Sequence, residues 1–346
     1  MKLNRGRCAV STKRPTLEDI ARVAGVSRAT VSLVVRRSPL VAEHTRMMVE
    51  RVMADLDYVR DIGAARLRNN SSRTVGVLVP NLVNSFFTEF LTGVEQVMRA
   101  QDRVVLLANS EDEPQRQDEI LQRFRGHGVD GVILCPAAGT DPALPTRIQR
   151  WGLPMVQALR EVGTQQTDYA GADYVAGVGL ALQHLADLGH QRIAFLSVRA
   201  MTSAKAERLK GFSSGLSRTG AIDAGIVEAD LTWEGAALAA DEVLALPSRP
   251  TAVLCFNDVL AAGLMLGLRR AGRQPGRDIA VVGLDDLPLA ELTYPPMSSV
   301  AMCPAVIGAE AARLLTTRLA EPGRPIERFL QAPALMVRES SGAKIV

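Results

Sequence analysis

The sequence predicts a small all-α head followed by an α/β body of doubly wound parallel sheets arranged in two lobes. Three observations predict it. Residues 16–60 carry apolar positions at helical period and no strand signal. From Thr74 onward, short β-branched runs alternate with longer stretches at helical period. Charge divides at the same place. Residues 1–73 hold 15 Lys/Arg against 7 Asp/Glu (net +8), and the other 273 residues hold 25 against 30 (net −5). A basic head on a mildly acidic body suggests a polyanionic partner for the head alone, the other reading being a solvated helical segment.

The elements follow in order. Residues 1–15 lack periodicity and read as a disordered basic tail. In 16-TLEDIARVAGVSRATVSLVV, Thr16 can cap a helix, with Asp19 at the reciprocal position. Leu17, Ile20, Ala21 and Ala24 share one face. Gly25 suits the positive φ of a tight turn, and Val26 is placed to fill the space between two helices. Ser27 caps the second helix, whose Val31 and Val34 point back to the core. A third helix, about 42–55, supplies Met48, Val49, Val52 and Leu56. Residues 61–73 form a linker, Ala-rich and then polar at Asn69-Asn70-Ser71-Ser72. A helix this short is marginal in water and should form only when something binds it.

Strands are expected at 74-TVGVLV, 103-RVVLLA, 130-DGVILC, 154-PMVQA, 192-RIAFLS, 251-TAVLC and 279-IAVVG. Helices are expected at 85–100, 114–126, 174–189, 203–219, 234–246 and 257–272. The alternation implies parallel sheets covered on both faces. The stretch exceeds one typical doubly wound domain, so two lobes are expected, with a ligand cleft at the carboxyl ends of the strands.

Other classes lose support. No run reaches the ~18 apolar residues of a membrane span, and the basic N-terminus lacks a secretory apolar core, so a soluble cytoplasmic protein is expected. Cys8, Cys135, Cys255 and Cys303 form no C-x-x-C pair and read as packed thiols in a reducing compartment. His44, His127, His184 and His190 show no metal-ligand spacing; neither a metal nor a cofactor is expected. An enzyme would need a phosphate loop, a dinucleotide fingerprint or a nucleophile elbow, and none is present. A transporter's solute-binding protein would suit the body but not the head.

The segment 17-LEDIARVAGVSRATVSLVV resembles the DNA-binding helix-turn-helix of the LacI/GalR repressor family along its whole length. The resemblance implies a second helix in the major groove, with Arg28, Ala29 and, one turn on, Leu33 toward base edges. Arg28 can fork onto guanine; its alternative role is a phosphate contact. Ala29 is small enough to meet a thymine methyl, and Leu33, where relatives often carry a polar or basic residue, offers only apolar contact. Ser27, Thr30, Ser32 and Thr45 read as phosphate contacts, which position without reading sequence. Arg36 and Arg37 are either backbone contacts or solvated. In the family the linker folds into a hinge helix on specific DNA. Leu67 occupies the place of its minor-groove wedge, between Arg66 and Arg68. Arg60-Asp61 replaces the usual Pro-Asn, and Ala65 replaces a common Arg.

Residues 74–340 resemble the family's periplasmic-binding-protein-like core through 75-VGVLVPNLVNSFF, 129-VDGVIL, 184-HLADLGHQRIAFL, 253-VLCFNDVLAAG, 278-DIAVVGLDD and 337-VRES. The implied lobes are about 74–172 with 303–331, and 173–302 with 332–340. Matching positions give a candidate effector site of Phe86, Phe87, Arg160, Arg208, Asn257 and Asp285. An Arg, an Asn and an Asp beside aromatic rings suit a hydroxyl-rich small molecule. The alternatives are core packing for the phenylalanines, capping for Asn257 and Asp285, and solvation for Arg208. Leu159 and Met302 stand where relatives often place polar ligand contacts. Without those groups, Arg160 and Arg208 would equally serve a phosphate, a carboxylate or a nucleobase. The resemblance further implies a homodimer on pseudo-palindromic double-stranded operator DNA, with operator affinity linked to an effector held between the lobes.

Overall fold

The computed structural model describes residues 15–59, 71–163 and 165–342. The chain divides between Ser72 and Arg73 into two compact units.

The first unit contains three helices: α1 (Leu17–Ala24), α2 (Arg28–Val35) and α3 (Glu43–Asp55). Thr16 and Asp19 close a reciprocal capping box, which satisfies donors that the first turn of α1 would otherwise leave open. Gly25 ends α1 at φ 65°, left-handed backbone that a β-carbon disfavours. Ser27 caps α2 by accepting from Thr30 N at 3.0 Å. Ile20, Ala21, Ala24, Val31, Val34 and Val49 make the buried core, with Leu17, Val26, Val52 and Leu56 packed around it. One expectation is corrected: Met48 lies on the exposed side of α3, and Met53 packs on the core instead.

The second unit contains two six-stranded sheets. The first sheet runs β11-β5-β4-β3-β1-β2, all parallel. Its strands are β1 (Thr74–Val79), β2 (Val104–Asn109), β3 (Gly131–Leu134), β4 (Met155–Ala158), β5 (Asp168–Ala172) and β11 (Arg328–Gln331). The second runs β12-β10-β9-β8-β6-β7, with β12 alone antiparallel. Its strands are β6 (Arg192–Val198), β7 (Ile222–Ala229), β8 (Ala252–Cys255), β9 (Ala280–Asp285), β10 (Ser298–Ala301) and β12 (Ala334–Met336). The chain thus passes between lobes three times: after β5, after β10 and after β11.

The first lobe carries α4 (Ser85–Ala100), α5 (Pro114–His127), α6 (Leu144–Arg150) and α12 (Pro304–Ala320). The second carries α7 (Tyr174–Asp187), α8 (Ser203–Thr219), α9 (Trp233–Ala245), α10 (Asp258–Arg270) and the short α11 (Leu289–Leu292). Because the strands are covered on both faces, β1, β3, β4, β8 and β9 are buried almost without alternation. Helices α4 and α12 cross at Gly93 and Gly308; a β-carbon on Gly308 would lie 2.0 Å from Phe90 O. Asp168, fully buried, holds Arg318 through two bonds of 2.8 and 2.9 Å and accepts from Glu327 N, which ties β5, α12 and β11 together.

Cys135 and Cys255 are packed as expected, and burial pushes the Cys135 thiol up to about 12. Cys303 departs from the expectation: it is exposed, at the crossing that follows β10. No helix among the described residues is long and apolar enough to cross a membrane. No group of three or more His, Cys, Asp or Glu able to hold a metal occurs among them.

Candidate nucleic-acid interface and ligand cleft

In the head, the face left over after core packing is the candidate interface. Val31 and Val34 turn α2 inward, so Arg28 and Ala29 at its N-terminal turn are exposed and Leu33 is half-buried. Arg28 makes no ion pair among the described residues, and its guanidinium is free for an external acceptor. The hydroxyls are already partly engaged. Ser27 Oγ lies 2.9 Å from Thr30 Oγ1, and Thr45 Oγ1 lies 3.2 Å from His44 Nε2. Ser32 Oγ accepts from Arg36 Nη2 at 2.7 Å, while Arg36 Nε donates to Ser32 O at 3.2 Å. Arg36 therefore closes the C-terminal end of α2, a role that sequence reasoning missed because an exposed arginine carries no signal for it. Arg66, Leu67 and Arg68 lie outside the described residues.

In the body, the carboxyl ends of both sheets turn toward a common cleft. A cavity of about 180 Å³ is lined from the first lobe by Asp112, after β2, and Arg160, after β4. The second lobe contributes Val198, Arg199, Ala200 and Thr202 after β6, Ala229 to Leu231 after β7, and Phe256 after β8. The lobes also touch directly, where Glu161 N donates to Ser203 Oγ at 2.8 Å.

Of the six expected effector residues, Arg160 alone lines this cavity. Its Nη1 donates to Asp112 Oδ1 at 2.5 Å and to Pro136 O at 3.2 Å. Arg208 is buried rather than solvated. It donates from Nε to Phe256 O at 3.0 Å and from Nη1 to Ala204 O at 3.1 Å. Its Cζ sits 3.7 Å from the Tyr174 ring centre and 4.1 Å from that of Phe256. Asn257 is the N-cap of α10, accepting from Leu260 N at 3.0 Å. Phe86 and Phe87 are buried in α4, edge to face at 5.8 Å, within the main core. Leu159 and Met302 are also core residues, Met302 fitting against Gly177.

Asp285 is unlike the others. It ends β9 at φ 121°, is 4% exposed, and its Oδ1 has no hydrogen-bond partner. Burial raises its carboxyl well above the ordinary range, the nearby Asp258 carboxylate adds to this, and Arg208 opposes it. A buried acceptor left open costs about 1–3 kcal/mol, which a ligand donor would recover. Asp258, the first residue of α10, holds Ser299 Oγ at 2.5 Å and Leu287 N at 2.7 Å. Burial pushes its carboxyl up to about 7.

A three-helix head with an exposed helix-turn-helix face, joined to a two-lobed body with a polar cleft, defines the class of ligand-sensing DNA-binding regulators. Comparison with known proteins agrees. Residues 16–61 match the family described as bacterial regulatory proteins, lacI family, and residues 182–341 match the periplasmic binding protein-like domain. The chain is 32% identical over 329 residues to the HTH-type transcriptional repressor PurR of Photobacterium profundum (94% of this chain, 98% of that one). It is 30% identical over 328 residues to the ribose operon repressor of Haemophilus influenzae, with the same coverage. Among solved structures, the transcriptional regulator CelR–cellobiose complex matches with TM-score 0.72 and 32% identity, over 94% of this chain and 100% of that one. The lac repressor dimer bound to operator and the anti-inducer ONPF matches in fold with TM-score 0.87 at 24% identity, over 96% and 100%. The chain belongs to the lacI family of bacterial regulatory proteins and is a DNA-binding transcription regulator.

Proposed function

We propose that this regulator is a cytoplasmic repressor that binds a pseudo-palindromic operator as a homodimer, and that a small polar molecule held between its lobes sets its operator affinity. The observation that carries the reading is the N-terminal turn of α2, where Arg28 and Ala29 stand exposed on a helix fixed by its own core. Arg28 reads a guanine, Ala29 and Leu33 give apolar contact, and Ser27, Thr30, Ser32 and Thr45 position the head on phosphates. Leu67, flanked by Arg66 and Arg68, serves as the hinge wedge.

The dimer reading is supported by apolar surface on the body. Leu292 is 81% and Tyr294 77% exposed beside α11, and Val104, Leu106 and Leu107 are open on the edge strand β2. The effector reading is supported by the open Asp285 Oδ1 near Arg208, and by a cavity that draws residues from both lobes. A ligand that touches both lobes favours one arrangement of them. Operator and effector then alter each other's affinity by the same factor, typically equivalent to about 1–3 kcal/mol.

The test is retardation of the promoter fragment beside the gene, at fixed salt, by the wild type and by Leu67→Ala. Specific binding by the wild type, with Leu67→Ala weakening operator binding far more than nonspecific binding, is the expected result. Equal losses on both DNAs remove the wedge role, and no specific shift under any ligand condition removes the function.

A further inference from the structure

We infer that the effector is a neutral two-ring carbohydrate, whose outer ring occupies a subsite between two opposed Arg–Asp pairs, Asp112–Arg160 of the first lobe and Arg199–Asp230 of the second. The inference rests on the effector reading above and specifies its ligand.

The size of the cavity argues for two rings. At about 180 Å³ it is smaller than the roughly 300–1,000 Å³ of pockets that enclose a whole small ligand. It accommodates one ring. The open acceptor of Asp285 does not line it. Phe256 joins the two places: its ring lines the cavity, its other contact is the Arg208 guanidinium, and its carbonyl accepts from Arg208 Nε. A ligand reaching both Asp285 and the cavity therefore has an inner and an outer part.

Charge argues for a neutral ligand. The ionisable side chains lining the cavity are Asp112, Arg160, Arg199 and Asp230, two of each sign. Each arginine already holds an aspartate: Arg160 holds Asp112 at 2.5 Å and Arg199 holds Asp230 at 3.2 Å. A phosphate or carboxylate placed here would meet two carboxylates with no unpaired cation to receive it. The nearest further cation, Lys205, is buried on Glu228 at 2.6 Å.

Hydrogen bonding and shape argue for a sugar ring. Arg160 spends only Nη1 on its partners and Arg199 only Nε, which leaves two nitrogens on each as donors. Asp112 and Asp230 each use Oδ1 and keep a second oxygen as acceptor. Thr202 adds a hydroxyl. Hydroxyls both donate and accept, so a ring edge bearing several of them matches alternating donors and acceptors. The remaining wall is apolar (Val198, Ala200, Ala229, Leu231, Phe256), which suits the C–H face of a pyranose.

The test uses the full-length chain and calorimetric titration with cellobiose, maltose, lactose, sucrose and trehalose, their component monosaccharides, and the 6-phosphates of those monosaccharides. At least one disaccharide should bind at least tenfold more tightly than any monosaccharide or phosphate ester. The double variant Arg199→Ala/Asp230→Ala removes a pair whose side chains are 66% and 76% exposed, so folding is little disturbed. It should bring the disaccharide-to-monosaccharide affinity ratio down about tenfold. A monosaccharide or phosphate ester that binds best, an unchanged ratio in the double variant, or no binding by any disaccharide overturns the inference. Operator retardation measured alongside separates the two readings. A monosaccharide that binds and alters retardation sinks the outer subsite while the ligand-gated regulator stands. A ligand that binds without altering retardation sinks the gating itself.

Discussion

Arg28 and Asp258 show how single side chains carry different parts of the function. Arg28 stands at the first turn of α2, where a planar fork of donors meets a base edge if the helix enters the groove. Arg28→Ala should weaken operator binding by about five- to 150-fold, equivalent to 1–3 kcal/mol, and relax preference at one base pair per half-site. Anisotropy titrations on operators changed at single positions measure this. A loss uniform over all sequences, with a shallower salt dependence, would make Arg28 a phosphate contact instead. Asp258 belongs to stability. Its folded-state value of about 7 lies above the roughly 3.9 of an unfolded aspartate, so the folded state binds the extra proton between these limits. The resulting stabilisation is complete below about pH 4 and is lost as pH rises through about 7. Asp258→Asn should therefore flatten the pH dependence of Tm over that window, because an amide still accepts from Leu287 N and donates to Ser299 Oγ. An identical slope in the variant would refute the assignment.

Elements are where sequence patterning is strongest and where its blind spots are clearest. The capping box, Gly25 and the apolar face of α1 were legible because each is a local rule satisfied within a few residues. The β-branched runs of β1, β6 and β9 were equally legible. β5 was not: DYAGA has no β-branched residue, and it becomes a strand only because β4 and β11 pair with it on both sides. Met48 and Met53 show the same limit, since both fit a helical period and only the position of α1 and α2 decides which is buried. For the site, the chemistry of Arg208 and Asp285 was legible by position. The Asp112–Arg160 pair, separated by 48 residues, and the Arg199–Asp230 pair exist only after folding. Helix crossing makes a stability prediction at this scale. Gly308→Leu forces α4 and α12 apart where the β-carbon meets Phe90 O, and should lower stability by at least 1–3 kcal/mol in urea titration. A change under 0.5 kcal/mol would show that the crossing yields freely.

At the scale of the whole molecule, a basic head and an acidic, two-lobed sensor are coupled through free energy. Two-fold symmetric DNA calls for a two-fold symmetric protein. Leu292→Asp combined with Tyr294→Asp should shift the protein from dimer to monomer in sedimentation analysis and weaken operator binding with it. A dimer that survives both changes would place the interface elsewhere, with the open edge of β2 next to be tested. The most direct measurement compares the full-length chain with a fragment of residues 73–346, which begins where the second compact unit begins. Both are titrated against the promoter duplex at fixed salt, with fragment folding checked by its thermal transition. Retardation by the full-length protein and none by the folded fragment is the expected outcome. A fragment that retards the same duplex with similar affinity would contradict DNA recognition by the helical head.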